Sequence, residues 1–113
     1  MDNKLDRYRS IIRQILLQHA ELVPSHGEIE VRPVFDPAND SYLLVDSGWD
    51  RTRRIHAAVI DLRVKDGKVW IEADGTERGI AYELLDAGVP ESDIVLGFMH
   101  PSRRKFIEFD PVP

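Results

Sequence analysis

Four histidines, His19, His26, His56 and His100, are the first residues to ask for chemistry, and they stand too far apart in the chain to form an obvious ligand set. None belongs to a His-Glu-x-x-His helix. His19 falls on the apolar stripe of a helix, where a packed or capping role suits it better than catalysis. Asp66-Gly67-Lys68 supplies the Asp-x-Lys half of a metal-dependent nuclease site, in which carboxylates hold Mg²⁺ and lysine orients water. Such a site needs further acids converging on one point, whereas Asp-Gly between two β-rich runs asks first for a two-residue type I′ turn. There is no nucleophile elbow, phosphate loop or dinucleotide fingerprint, and no cysteine for a thiolate centre or nucleophile. No enzyme, metal or cofactor is therefore expected.

The remaining chemistry is that of recognition. Gly48-Trp49-Asp50-Arg51-Thr52-Arg53-Arg54 sets an indole beside three guanidinium groups in a turn between strands. Trp and Arg together are the composition of interface anchors. The competing reading is a tryptophan capping the sheet edge while the arginines pair with surplus acids. Trp70 and Arg63 offer either a cation–π pair or part of a dimer interface. Arg103-Arg104-Lys105 has the composition to touch phosphate, although a short basic run in an acidic protein is more often a solvated tail paired internally.

The 113 residues suffice for one domain, 1–113, with a single core. Fifteen basic against twenty acidic side chains give a net charge of −5, which repels bulk nucleic acid, so tight DNA binding by the chain alone is not expected. No apolar run approaches the ~20 residues of a membrane span, and the mixed charges of Met1 to Asp6 lack the apolar stretch of a secretory signal. A cytoplasmic protein is expected.

The elements that must position the recognition residues are legible from periodicity. From Asn3 to Val23, Leu5, Tyr8, Ile12, Ile15, Leu16, His19 and Leu22 recur at helical steps, with Asp2 or Asn3 as cap and Pro24-Ser25-His26-Gly27 as stop. Glu28 to Asp36 alternates as a strand, and Pro33 assigns it to an edge. Ser41 to Ser47 is apolar on both sides at its centre and belongs inside the sheet. The Asp66-Gly67 turn predicts a register in which Lys65 faces Lys68, Val64 faces Val69, Arg63 faces Trp70, Leu62 faces Ile71 and Asp61 faces Glu72. Ile60, Leu62, Val64, Val69 and Ile71 then share the core face. Arg63 and Trp70 share the other, joined there by Ile55, Ala57 and Val59. A second helix comes next, with Thr76 as its cap and Ile80, Ala81, Leu84 and Leu85 as its apolar face, and Ile94 to Phe98 seals the core.

The predicted fold is α+β: a mainly antiparallel four-stranded sheet with an N-terminal helix and a second, shorter helix packed on it. With both helices on the core face, the outer face carrying Val59, Arg63 and Trp70 is left bare, an apolar patch that soluble monomers avoid. Together with the turn bearing Trp49, Arg51, Arg53 and Arg54 it is expected to bind a partner, another copy, or both in competition.

Tyr42-Leu43-Leu44-Val45-Asp46-Ser47-Gly48-Trp49-Asp50 with Arg53-Arg54-Ile55, then Lys65 to Glu77, then Gly88-Val89-Pro90 and Asp93 to Pro101, resemble the XisI family, controlling factors for excision of the fdxN DNA element in heterocyst-forming cyanobacteria. The resemblance runs from Tyr8-Arg9 to Arg104. It implies a small α+β accessory protein, not an enzyme, that acts with a partner, XisH, and with the site-specific recombinase that exchanges strands; it brings no catalytic residues. This chain has Asp61 where the family is associated with histidine and Glu72 where glutamine is common, which singles out the outer sheet face as a contact surface that varies among relatives. Two other readings stand beside it: an antitoxin-like inhibitor of a nuclease partner, which would use the same surface, and a metal-dependent nuclease, which would need a convergent set of acids.

Overall fold

A computed structural model describes residues 3–22 and 28–104. Helix α1 (Lys4–Ala20) is capped by Asn3, whose side-chain oxygen accepts the Asp6 backbone N–H at 2.8 Å. Its buried face is Tyr8, Ile12, Ile15 and Leu16. Burial of Ile12 and Leu16, both at 0% exposure, stabilises the fold by about 1.5–3 kcal/mol each. Leu17 and Leu22 remain exposed, so the buried stripe is narrower than the periodicity suggests. The expected stop from Pro24 to Gly27 lies outside the described residues.

The sheet has five strands in the order β1 (Glu28–Asp36), β2 (Ser41–Asp50), β3 (Arg53–Lys65), β4 (Lys68–Asp74) and β5 (Ile94–Leu96). The first four are antiparallel neighbours, and β5 adds to β4 in parallel. The segment expected only to seal the core is thus a fifth strand, reached from β4 through α2 (Ile80–Asp86) and a short 3₁₀ turn at Glu91–Asp93. Pro33 lies in the edge strand β1, as its missing N–H requires, and β2 runs between β1 and β3. Asp66 and Gly67 take φ of 54° and 76°, so the Asp-Gly turn forms and pairs Lys65 with Lys68 through Leu62 with Ile71 as predicted.

Two register shifts change which side chains share a face. Leu44 pairs with Ile60 but Val45 pairs with Ala58, which leaves Val59 as an extra residue in β3. Leu62 pairs with Ile71 but Asp61 pairs with Ala73, which leaves Glu72 extra in β4. Asp61 therefore does not face Glu72, contrary to the expected register. The second shift turns Asp74 toward the helix side, where its carboxylate accepts the N–H of Ile80 at 2.7 Å and the N–H and hydroxyl of Thr76 at 2.9 and 2.6 Å. Asp74 prepares the start of α2, and the expected cap, Thr76, instead holds the preceding turn by accepting the Gly79 N–H at 3.2 Å. Ile80, Ala81 and Leu84 of α2 enter the same core as α1.

Two carboxylates bind α1 to the loops at one end of the sheet. Asp40 receives Arg9 in bidentate fashion, Nε and Nη2 each at 2.9 Å, and the Tyr42 hydroxyl at 2.9 Å. Asp93 accepts the Tyr8 hydroxyl at 2.5 Å and pairs with Lys4 at 3.3 Å. The Arg9 guanidinium holds the Asp40 carboxyl below its ordinary value, and the Tyr8 hydroxyl does the same for Asp93. A lowered folded value means stability that is present above the ordinary carboxylate range and lost as pH falls through the lowered one. Asp40→Asn is expected to cost about 1–3 kcal/mol at neutral pH. The cost should shrink below about pH 3, where wild type loses the same charge; denaturant unfolding of both proteins at pH 7 and at acid pH checks it.

Candidate interaction surface

Opposed residues of a sheet share a face, so the register places the recognition residues that lie in strands, and Arg53, opposite Asp50, falls on the other side of the hairpin from Trp49 and Arg54. On the side away from the helices, successive rows across β1, β2 and β3 are Glu28, Trp49, Arg54; Glu30, Ser47, His56; Arg32, Val45, Ala58; and Val34, Leu43, Asp61. Arg63 and Trp70 continue this face across β3, β4 and, at Val95, β5. The contacts agree: Ser47 Oγ lies 2.9 Å from His56 Nδ1, and the Arg54 guanidinium sits over the Trp49 ring at 5.2 Å.

The expected apolar strip along β3 is corrected by the extra residue. Ala57 pairs with Asp46 and Ile55 with Gly48, and both point to the helix side; Val59 packs against the core. The apolar centre of the outer face is supplied instead by Val34, Leu43, Val45 and Ala58, residues that periodicity does not single out. The adjacent pair Val59-Ile60 was the available signal, because two apolar neighbours break a period of two.

At the far end of β2 and β3 the sheet runs on to a two-residue turn, Arg51-Thr52, with Asp50 paired to Arg53. Gly48 makes the closing rows possible: a Cβ there would lie 1.9 Å from the Glu28 carbonyl oxygen. Trp49 remains 47% exposed and Arg51, Arg53 and Arg54 are all exposed. Arg53 reaches Asp50 only at 3.4 Å, and Arg54 donates to the Gly48 carbonyl at 3.4 Å. Arg51 has φ of 59°, the left-handed region that costs a non-glycine residue about 1–2 kcal/mol. The sequence motif is thus brought together as one exposed tip.

Trp70 has a different setting. Its indole N–H donates to the Lys65 carbonyl at 3.0 Å, and its ring lies under Lys65 at 4.9 Å and Arg104 at 5.3 Å. The expected cation–π partner, Arg63, is not the one found; its Nε is buried without a hydrogen-bond partner among the described residues. Arg104 belongs to α3 (Pro101–Arg104), and its Nε donates to the Leu96 and Met99 carbonyls at 2.9 Å each. The basic run is therefore paired internally at Arg104, while Arg103 is exposed and Lys105 lies outside the described residues. On β3, Asp61 carries a carboxyl raised by burial and by the neighbouring Glu72, with Arg63 opposing the rise.

The histidines are not brought together. His19 meets Glu83 at 2.8 Å between the two longer helices, His56 is on the outer face, His100 bonds Ser102, and His26 lies outside the described residues. Among the described residues no group of three or more His, Asp or Glu could hold a metal ion, and no helix is long and apolar enough to cross a membrane.

In a Trp49→Phe background, Arg104→Ala should shift Trp70 fluorescence to longer wavelength and lower stability by about 1–2 kcal/mol, through the lost cover of the indole and the lost hydrogen bonds to the Leu96 and Met99 carbonyls, the former keeping the Met99 N–H. An unmoved emission spectrum would show that α3 does not shield Trp70.

A family model described as XisI protein matches residues 1–110. The crystal structure of the fdxN element excision controlling factor XisI from Anabaena variabilis ATCC 29413 is similar at a TM-score of 0.81 and 39% identity, over 95% of this chain and 97% of that one. A XisI-like protein from the same organism gives a TM-score of 0.84 at 32% identity, over 93% and 95% of the two chains. No curated protein matches the chain. With the α+β fold and nearly the whole length shared, the chain belongs to the XisI family.

Proposed function

We propose that this protein is a non-catalytic controlling factor for excision of a DNA element, one that binds an XisH-like protein and through it governs a site-specific recombinase. The family supports the link to excision control. The observation that carries the binding role is the tip between β2 and β3. Half-exposed Trp49 lies under Arg54, exposed Arg51 and Arg53 stand in and beside the turn, and the turn residue Arg51 is held where glycine or asparagine would be cheaper. A turn selected only for stability has no use for that side chain in that conformation. The surface of contact is Trp49, Arg51, Arg53 and Arg54; Arg63 and Trp70, at the opposite end of the face and covered by Lys65 and Arg104, stand outside it. A partner complementary to the tip is acidic and offers an apolar slot for the indole.

Arg51→Gly separates binding from folding. It relieves the left-handed strain, so stability is expected to hold or to rise by up to about 1 kcal/mol. Affinity for a co-encoded XisH-like protein, measured by calorimetry, should fall, and Trp49→Ala should weaken it by about thirtyfold, the loss of a ~2 kcal/mol anchor. Wild-type affinity in both variants, or metal-dependent DNA cleavage by the purified chain, would sink this reading.

A further inference from the structure

The outer face is bare over only part of its width. The chain covers its own β4–β5 end, where Lys65 and Arg104 lie over Trp70 and α3 packs beside it. No other described residue lies over β1, β2 and β3, three strands arranged evenly about β2. On β2 itself the outward residues are Leu43, Val45, Ser47 and Trp49, none charged. The strands on either side carry opposite charge in the row nearest the tip and set an acid across from a histidine in the next. Glu28 and Arg54 both pair with Trp49, and Glu30 and His56 both pair with Ser47. In the next rows Arg32 of β1 lies across β2 from Ala58, with Asp61 of β3 one row beyond.

Neighbouring strands are about 4.8 Å apart, so Glu28 and Arg54 stand about 10 Å from each other with the Trp49 strand between them. No ion pair joins them within the chain among the described residues. A two-fold axis running along β2 exchanges β1 with β3. It carries Glu28 of one copy over Arg54 of the other, Glu30 over His56, Arg32 over Ala58 one row from Asp61, and Val34 over Asp61, while Leu43, Val45 and Trp49 meet their own symmetry mates. This is the self-complementary pattern that an isologous dimer requires.

We propose that a second copy of this chain packs face to face on β1, β2 and β3 about that axis, as two sheets aligned about 10 Å apart. The inference rests on the reading of this face as a docking surface and names its occupant. The two arginine-rich tips then stand side by side at one end of the dimer; Trp49 and Arg54 lie in its contact, so a second copy and the protein partner compete for those two side chains, while Arg51 and Arg53 stay outside it. Three strands of nine to thirteen residues give a footprint of roughly 14 by 30 Å, toward the lower end of specific interfaces. The dimer should accordingly dissociate on dilution.

The test is a charge exchange monitored by analytical ultracentrifugation without any partner present. Glu28→Arg alone sets arginine against Arg54 of the other copy, and Arg54→Glu alone sets glutamate against Glu28, so each should weaken dimerisation more than about tenfold. Mixed in equal amounts, the two variants recover both opposite-charge contacts and should return dimer of near wild-type strength, as a heterodimer. Leu43→Asp, on the axis, should be monomeric by itself. Circular dichroism establishes that each variant folds; should one of them not fold, the wild-type state and Leu43→Asp decide. A wild type that stays monomeric at its highest soluble concentration overturns the proposal, as does a mixture no more dimeric than its components. Either result leaves partner binding at the Arg51 tip to stand or fall by its own measurement.

Discussion

Both faces of the sheet depend on a single extra residue in β3, because side chains alternate across a strand and one inserted position exchanges the faces of everything beyond it. Counted in strict alternation from Lys65, the strand would present Ile60, Leu62 and Val64 to the helices and Ile55 and Ala57 to the outside. With Val59 bulged, both sets lie on one side. The bulged residue keeps a backbone bond outside the β2–β3 ladder, its carbonyl accepting the Gly75 N–H at 2.7 Å, and Val59 itself packs against the core. The outward positions then pass to Arg54, His56 and Ala58, short or polar groups that leave a level surface. The neighbouring bulge at Glu72 acts on the other edge of the same strand, bringing Asp74 inward to the start of α2. Ile60, fully buried between the two irregularities, is where the sheet's alternation is reset on both sides.

Charge is distributed along the strands in a way that distinguishes the two ends of the molecule. At the end near the 65–68 turn, Asp40 and Asp93 gather arginine, lysine and two tyrosine hydroxyls, and these partly buried bonds tie α1 to loops distant in sequence. At the opposite end, the β2–β3 tip carries its arginines with only long, exposed contacts to Asp50 and a backbone carbonyl. Ordered and desolvated charges contribute stability, whereas solvated arginines beside an indole retain their capacity to pair elsewhere. The contrast explains how a small acidic domain can be firmly held at one end and still present cations at the other.

The outer face shows how a chain manages a surface that α1 and α2 do not reach. Over β4 the indole of Trp70 is sheltered by two cations of its own chain, one of which also satisfies the carbonyls that end β5. Over β1 to β3, polar rows at the tip grade into the apolar row of Val34 and Leu43, a composition intermediate between a core and a solvent face. Asp61, with its carboxyl raised by burial, marks the boundary between the two regions.

Helix α1, the edge position of β1, the interior position of β2 and the hairpin register from Lys65 to Ile71 were all determined by the sequence alone, since each rests on local periodicity or on a backbone requirement of Pro33, Asp66 or Gly67. The Trp49 to Arg54 tip was equally legible, because adjacent residues in a turn must share one end of a hairpin. Only the tertiary structure decided which face Ile55, Ala57 and Val59 occupy, that Arg104 rather than Arg63 covers Trp70, and that Asp74 rather than Thr76 prepares α2. A bulge is a compromise among three strands and the helix above them, and Arg104 lies 34 positions from Trp70 in sequence. The Val59-Ile60 pair signals a break in alternation but not its placement, and no local window joins Arg104 to Trp70; both arise from the requirement that buried apolar area and hydrogen bonds be satisfied together across the whole sheet.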